Sequence, residues 1–195
     1  MSELYTIGYA TKDLDVFLAQ LDILNINAIA DVRSVPYSKV FHNYHRENLA
    51  RSLKARGIHY VYLGEELGPR SKDDAHYNNS GQVQFERLQG SALFQQGVQR
   101  LFTGLDKKLT ISLLCAEKDP AICHRSLLIG QYLLAEHRLD IQHICHNGKI
   151  ETQRDLERRL MTENDISADM LTPECDCLYL AWQTQNRRFA YRRPE

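Results

Sequence analysis

Residues 109 to 125 read Leu109-Thr110-Ile111-Ser112-Leu113-Leu114-Cys115-Ala116-Glu117-Lys118-Asp119-Pro120-Ala121-Ile122-Cys123-His124-Arg125. The apolar run that ends at Cys115 predicts a strand. Asp119 can accept backbone hydrogen bonds as a helix cap, and Pro120 suits the first helical position. The stretch therefore predicts a strand, a short turn and a capped helix, with functional side chains where the strand stops.

Apolar blocks alternate with amphipathic ones along the rest of the chain. Further strands are expected at residues 4–8, 28–32, 60–63 and 141–145, separated by helices. Such alternation predicts an α/β fold, a three-layer Rossmann-like sandwich with a mainly parallel five-stranded sheet. We expect the strand order 3-2-1-4-5, with ligands bound beyond the carboxyl ends of the strands.

Length and charge limit the classes of protein. The chain has 195 residues and a formal charge of -1, which fits one α/β domain over residues 1–161 and a C-terminal extension over residues 162–195, ending in a basic tail that packs on it. No residue run is apolar enough to span a membrane or to act as a signal peptide. Five irregularly spaced cysteines suit a reducing cytosol, so we expect a cytoplasmic protein without a membrane partner.

The strand-to-helix turn is the first candidate site. The free N–H groups of the helix start and the guanidinium of Arg125 could bind a phosphate or carboxylate, and a thiolate at Cys123 would be favoured there. Cys115 and His124 are candidate substrate or anion ligands at the same site, and Glu117 could act as an acid or base. The alternatives are a buried, inert Cys123 and an ion pair of Arg125 with Glu117 or Asp119.

A second candidate cluster follows the second strand. Asp31 and Arg33 share one side of the chain, and with Ser34 they could reach a ligand in the crevice. Asp31 is a candidate catalytic acid or base, and Arg33 and Ser34 are candidate anion ligands. The alternative is a local salt bridge that ties the loop to the sheet.

Two further segments could extend the site. A basic rim could contact nucleic acid, with contributions from Lys39, His42 and Arg46 and, in the tail, Arg187, Arg188, Arg192 and Arg193. An ordinary docked loop with a solvated edge is the alternative. Residues 65–84 form a long polar loop, which is either a lid or a mobile insertion.

Cofactor motifs are sparse. Neither a dinucleotide-binding glycine motif nor a nucleoside-triphosphate loop is present. Cys115, Cys123, His124, Cys145 and His146 would share one sheet edge if the fourth and fifth strands were neighbours, but the usual zinc spacings are missing, which argues against a transition metal. Paired carboxylates could bind Mg²⁺ instead.

Several blocks together resemble the domain of unknown function 488 family (DUF488). They are Thr6-Ile7-Gly8-Tyr9, Asp31-Val32-Arg33-Ser34-x-Pro36, Gly57-Ile58-x-Tyr60 with Leu63-Gly64, and Cys115-Ala116-Glu117-x-x-Pro120-x-x-Cys123-His124-Arg125 followed by His143-Ile144. The resemblance implies a compact α/β domain of prokaryotic-type cytosolic proteins with these motif residues around one pocket. The first block often reads Thr-Ile-Gly-His-Ser in the family, so Tyr9 stands where a histidine is common, although it could still donate a hydrogen bond.

These observations favour an enzyme, a hydrolase or transferase acting on a phosphorylated substrate such as a nucleotide or nucleic-acid component. Asp31 or Glu117 would be the acid or base, and Cys123 the nucleophile if its thiol is reachable. A non-catalytic nucleotide or nucleic-acid binding module that uses the same pocket and the basic tail is the alternative. A third interpretation treats the motif residues as a buried network and places function in the tail.

Overall fold

A mostly parallel sheet forms the centre of the computed structural model, which describes residues 3–194. Its strands are β1 (Leu4–Gly8), β2 (Ala28–Asp31), β3 (His59–Tyr62), β4 (Ile111–Cys115), β5 (Gln142–Ile144) and β6 (Ile150–Thr152). The described residues give the strand order β3-β2-β4-β1-β5-β6. Strand β6 runs antiparallel to β5, and the other neighbouring pairs are parallel.

Helices cover both faces of the sheet. They are α1 (Leu14–Ile23), α2 (Arg46–Lys54), α3 (Phe85–Gln89), α4 (Ala92–Asp106), α5 (Gln131–His137), α6 (Gln153–Glu163) and α7 (Glu174–Phe189). Apolar residues of α1 and α2 pack with one face of the sheet. Apolar residues of α4, α6 and α7 belong to the core on the other face. The predicted three-layer α/β class is thus confirmed.

The expected strand number and order differ from the structure in two respects. First, β4 lies between β2 and β1, so the first and fourth strands exchange places relative to the order 3-2-1-4-5. Backbone pairing on both sides fixes this position, because β1 and β2 are each in register with β4. Second, a tight turn with Gly148 at φ +83° returns the chain as the short strand β6.

The segment after β4 begins as its sequence predicts. The Asp119 carboxylate accepts a hydrogen bond from the Ala121 N–H at 2.9 Å, and Pro120 opens a short 3-10 turn, Pro120–Ile122. Cys123 is then extended, and a π-helical segment, Arg125–Gly130, leads into α5. Single π turns inside helices often accompany functional sites, and this one follows directly after Cys123 and His124.

The C-terminal segment packs on the body of the domain through α7. The Trp182 Nε1–H donates to the Leu127 carbonyl at 2.7 Å, and the Gln185 amide donates to the Ala121 carbonyl at 2.8 Å. Helix α7 therefore lies against the segment that carries Cys123 and His124.

Residues 65–84 are anchored in the core at several points. Leu67, Tyr77 and Val83 are buried, and a short 3-10 turn spans Asp74–His76. Among residues 3–194, no helix has the combination of length and apolar character needed to cross a membrane.

Candidate functional site

Three parallel strands end side by side at the candidate site. Cys115 ends β4, and the backbone N–H of Tyr9, just after β1, donates to its carbonyl at 3.2 Å. On the other side the Val32 N–H donates to the Leu114 carbonyl at 3.1 Å. The position of β4 between β1 and β2 therefore brings both earlier motif blocks next to Cys115. The expected strand order placed the β1 block beside β4 but the Asp31–Arg33 block one strand further away.

A cavity of about 340 Å³ opens above these strand ends. Its floor includes Cys115, Ala116, Glu117 and His124. The remaining lining residues are Tyr9, Arg33, Ser34, Val35, Tyr37, Pro69, Arg70, Phe85, Ile122, Phe189 and Tyr191. Five of these are aromatic, so the walls can hold a flat ring by stacking.

The floor carries a cluster of two thiols, a carboxylate and an imidazole. The Cys115 thiol lies 2.6 Å from Glu117 Oε2, and the Cys123 thiol lies 3.2 Å from the same oxygen. His124 Nδ1 is 3.5 Å from the Cys115 sulfur and 3.9 Å from the Cys123 sulfur. Cys123 is nearly inaccessible and does not line the cavity, whereas Cys115 does.

The charges in the cluster are mutually stabilising. Burial raises the pKa of the Glu117 carboxyl, but the neighbouring His124 charge and hydrogen bonds from the thiols lower it below its ordinary value on balance. Burial lowers the pKa of His124, and Cys123 and Glu117 raise it above its ordinary value on balance. Burial is the main reason that the pKa of Cys123 is raised well above its ordinary value, which favours the neutral thiol. A nucleophilic Cys123 would need an accessible thiol, and the Cys123 thiol is buried.

Arg125 is fully buried beneath the turn and does not line the cavity. Its NH1 donates to the Glu117 carbonyl at 2.6 Å, and its NH2 donates to the Lys118 carbonyl at 3.3 Å. The structure favours a structural role for Arg125 over the expected anion binding, because its NH1 and NH2 groups donate to backbone carbonyls and its side chain does not line the cavity. The alternative was an ion pair of Arg125 with Glu117 or Asp119. Arg125 instead contacts the backbone of Glu117, and Asp119 pairs with Arg159 at 3.0 Å.

Gly8 allows β1 to approach this turn. A Cβ atom at position 8 would lie 1.9 Å from the Glu117 carbonyl oxygen and 2.8 Å from Arg125 NH1. No other residue type fits without displacing the turn, because both nearest atoms belong to a buried network.

Asp31 and Arg33 form a buried salt bridge. Asp31 accepts from Arg33 Nε at 2.8 Å and from Arg33 NH2 at 2.6 Å, and the Tyr60 hydroxyl donates to Asp31 at 2.6 Å. The remaining Arg33 nitrogen, NH1, donates to the Tyr44 carbonyl at 2.9 Å. Asp31 does not line the cavity, so the structure favours the salt-bridge alternative over a catalytic Asp31. Arg33 reaches the cavity wall with its charge largely balanced by Asp31.

Tyr9 and Ser34, which are predicted substrate or anion ligands, both line the cavity. Tyr9 stacks on Tyr44 with ring centroids 4.3 Å apart, and the Arg33 guanidinium lies 5.1 Å from the Tyr9 ring centroid. The Ser34 hydroxyl oxygen accepts a hydrogen bond from the Arg70 backbone N–H at 3.1 Å. Ser34 thereby connects the second strand to the long loop.

Arg70 is a cavity residue that no sequence motif indicates. Its side chain is exposed at the cavity mouth, with the guanidinium 4.8 Å from the Tyr191 ring centroid. Among residues 3–194 it has no ion-pair partner. The only sequence signal was the length of the loop over residues 65–84, which does not say which of its residues would face a ligand.

The residues of the expected basic rim lie outside the cavity lining. Arg46 lies over Tyr62, and Arg193 lies over Tyr77 and pairs with Asp74. Lys39, His42, Arg187, Arg188 and Arg192 are exposed. Cys145 and His146 do not join the cluster either, because β1 separates β4 from β5; they line a separate cavity with Arg159.

Comparison with known proteins gives one match. The family model described as "Domain of unknown function DUF488" matches residues 13–132, a region that includes the whole cluster and the Asp31–Arg33 pair. No curated protein and no solved structure matches the chain.

Proposed function

The chain belongs to the domain of unknown function DUF488 family, and we propose that it is an enzyme, a hydrolase or transferase, acting on a small phosphorylated substrate such as a nucleotide. The observation that carries this proposal is the position of the Cys115, Glu117 and His124 cluster on the floor of a cavity. Partly desolvated acid–base groups that converge at the end of parallel strands are typical of active sites in α/β proteins.

The cavity lining indicates the class of substrate. Aromatic side chains on the walls, among them Tyr9, Phe85 and Tyr191, can stack on a nucleobase. Arg70 at the mouth offers a guanidinium free of ion pairs within the described residues, and such a fork binds phosphate well. A nucleotide could therefore bind with its phosphate at Arg70 and with its base or ribose among the aromatic walls, toward the cavity floor.

Glu117 is the group that we assign to acid–base catalysis. It lines the cavity, and Arg125 holds the backbone on which it sits by donating to the Glu117 and Lys118 carbonyls. Arg125 and the Asp31–Arg33 pair are positioning residues in this account. Arg125 holds the turn that carries Glu117, and the Asp31–Arg33 pair holds the adjacent cavity wall. Such rigid, buried contacts keep reacting groups in place.

We also propose that the enzyme works in the cytoplasm. All five cysteines are free, and a reducing compartment keeps thiols in that state.

Calorimetric titration with a panel of ligands tests the binding half of the proposal. Inorganic phosphate, mono- and trinucleotides and short oligonucleotides would be titrated into wild type, Arg70→Ala and Arg51→Ala. Arg51 is a matched control, because it is an exposed arginine of α2 that does not line the cavity.

We expect a mononucleotide to bind, and Arg70→Ala to weaken it about tenfold or more while Arg51→Ala leaves it unchanged, since a hydrogen bond to a charged group is worth roughly 1.5–3 kcal/mol. Equal affinity in all three proteins would contradict the site. Binding of oligonucleotides alone, insensitive to Arg70, would instead favour the basic rim.

A further inference from the structure

The cluster on the cavity floor has the donor set of a metal site. The donor atoms of Cys115, Glu117, Cys123 and His124 all lie within 4.8 Å of one another. We propose that Cys115, Cys123 and His124 bind one zinc ion, and that Glu117 moves the proton of a zinc-bound water. The catalytic half of this inference rests on the proposed function, whereas the zinc site itself does not.

The distances suit a tetrahedral ion. Zinc bonds of about 2.3 Å to sulfur and 2.0–2.1 Å to nitrogen place a sulfur and a nitrogen ligand roughly 3.6 Å apart. The two sulfurs lie 3.5 and 3.9 Å from His124 Nδ1. Two of the three ligand–ligand distances therefore match those around a tetrahedral zinc ion, and the third, between the two sulfurs, is at most 4.8 Å.

The orientation of His124 also suits a metal ligand. Its Nε2 lies 2.9 Å from the Val32 carbonyl oxygen, which can only accept a hydrogen bond, so Nε2 carries the proton. In the neutral ring the lone pair of Nδ1 then faces the two sulfurs, and zinc binding would release the Nδ1 proton of the charged ring. Histidine ligands in metal sites are commonly held in this way, by a backbone carbonyl bonded to the other ring nitrogen.

The fold holds the three ligands before any ion binds. Cys115 ends the central strand β4, while Cys123 and His124 stand at the entry to the π-helical segment. All three residues are buried. The Arg125 guanidinium stabilises the turn between Cys115 and Cys123 by donating to the Glu117 and Lys118 carbonyls. The spacing of Cys115 and Cys123 is unlike that of common zinc motifs, because the turn from the end of β4 to the π-helical segment brings them together in place of a short zinc knuckle.

The fourth position would face the cavity. Cys115, Glu117 and His124 line it, and Cys123 lies behind them. Three protein ligands with an open fourth position are characteristic of catalytic zinc, which brings the pKa of a bound water close to neutral. A pair of cysteines and a histidine around zinc, with a glutamate that moves protons without binding the metal, also occurs in deaminases that act on nucleobases.

The reaction would be a hydrolysis. Glu117 takes a proton from the zinc-bound water, and the resulting hydroxide forms a bond to the electrophilic atom of the substrate. The bond to the leaving group breaks, and Glu117 returns the proton to that group. The elements of water are consumed and no electron is transferred, so no further reactant is needed.

Metal analysis of the full-length protein tests the site directly. The protein would be produced without a histidine tag, equilibrated with zinc and desalted, and its zinc measured by mass spectrometry. We expect about one zinc ion per chain in wild type and less than roughly a tenth of that in Cys115→Ser and Cys123→Ser. Cys145→Ser and Cys177→Ser are matched controls outside the cluster and should keep the zinc.

A second measurement keeps the test decisive if a cysteine variant fails to fold. Wild type loaded with cobalt should show thiolate-to-cobalt charge transfer and the intense visible bands of a tetrahedral ion. Wild type that retains no zinc and gives no such bands would overturn the proposal, as would full zinc content in both folded cluster variants. Zinc binding without nucleotide binding would uphold the zinc site and contradict the proposed substrate, so the two failures are distinguishable.

Discussion

The buried guanidinium of Arg125 donates a 2.6 Å hydrogen bond to the backbone carbonyl of Glu117. Arg125 has no exposed surface, and its NH1 and NH2 groups donate to carbonyls of the turn that carries the proposed acid–base residue, which offsets part of the cost of burying the charge. Its Nε is buried without a hydrogen-bond partner among residues 3–194. Arg125 thus stabilises the turn beneath the cavity, whereas the residues that line the cavity contact the ligand.

Replacing Arg125 with Met should therefore lower stability. The carbonyls of Glu117 and Lys118 would lose their donors, and a buried acceptor left unpaired costs about 1–3 kcal/mol. Urea unfolding should show a loss of roughly 2–5 kcal/mol, given two such acceptors. An unchanged unfolding free energy, with nucleotide binding lost, would mean that Arg125 contacts the ligand after all.

Gly8→Ala should be strongly destabilising for a steric reason. The new methyl group would lie 1.9 Å from the Glu117 carbonyl oxygen, and overpacking against backbone costs about 1–3 kcal/mol or more. Gly90→Ala is the matched control, since its added methyl would meet nothing closer than 3.7 Å. Thermal unfolding should separate the two variants, and equal melting temperatures would rule out the close approach of β1 to the turn.

Trp182→Phe should test how α7 is held on the body. The variant keeps an aromatic ring but loses the bond from Nε1 to the Leu127 carbonyl, for an expected cost of roughly 1–2 kcal/mol. Tyr179→Phe also removes one hydrogen bond, to Glu86, but at an exposed position, so its cost should stay below about 0.5 kcal/mol. Urea unfolding followed by circular dichroism makes the comparison, and a larger loss for Tyr179→Phe would contradict this packing.

His143 predicts a specific pH dependence of stability. Burial, then the charge of Arg125, lowers its pKa in the folded state to about 3, from the ordinary 6.5. As the pH falls below about 6.5, the unfolded chain binds a proton that the folded chain does not, so stability falls by up to about 1.4 kcal/mol per pH unit until roughly pH 3.

The comparison with His143→Gln isolates this contribution. The variant lacks the titrating ring, and its amide can still approach Thr6 and Gln153, the two partners of His143. Unfolding free energies measured between about pH 7 and pH 5 should converge as the pH falls, because only wild type loses the histidine contribution. Parallel pH profiles would show that His143 titrates normally in the folded protein.

The local pattern of the sequence predicts most of the elements around the site. The apolar run ending at Cys115, the Asp119 cap and Pro120 correctly indicate a strand followed by a turn and a helical segment. These features depend on contacts between near neighbours in the chain. Periodicity and capping rules describe such contacts well.

Strand order and side-chain partners depend on contacts that local patterns do not encode. The position of β4 between β2 and β1 depends on long-range strand pairing. It places Cys145 and His146 away from Cys115. The roles of Arg33 and Arg125 likewise depend on whether each guanidinium meets a ligand or another part of the chain. Arg70 was missed because only the folded loop shows that its side chain stands at the cavity mouth.

Turnover of a nucleotide panel, followed by liquid chromatography and mass spectrometry, tests whether the cavity with Glu117 is an active site. Wild type and Glu117→Gln, both equilibrated with zinc, would be incubated with each ligand that binds in calorimetry. We expect wild type to convert at least one of them to a hydrolysed product. Glu117→Gln should bind that ligand with similar affinity but turn it over at least about a hundredfold more slowly. Tight binding without conversion by wild type, or undiminished turnover by Glu117→Gln, would contradict the assignment of this cavity as an active site.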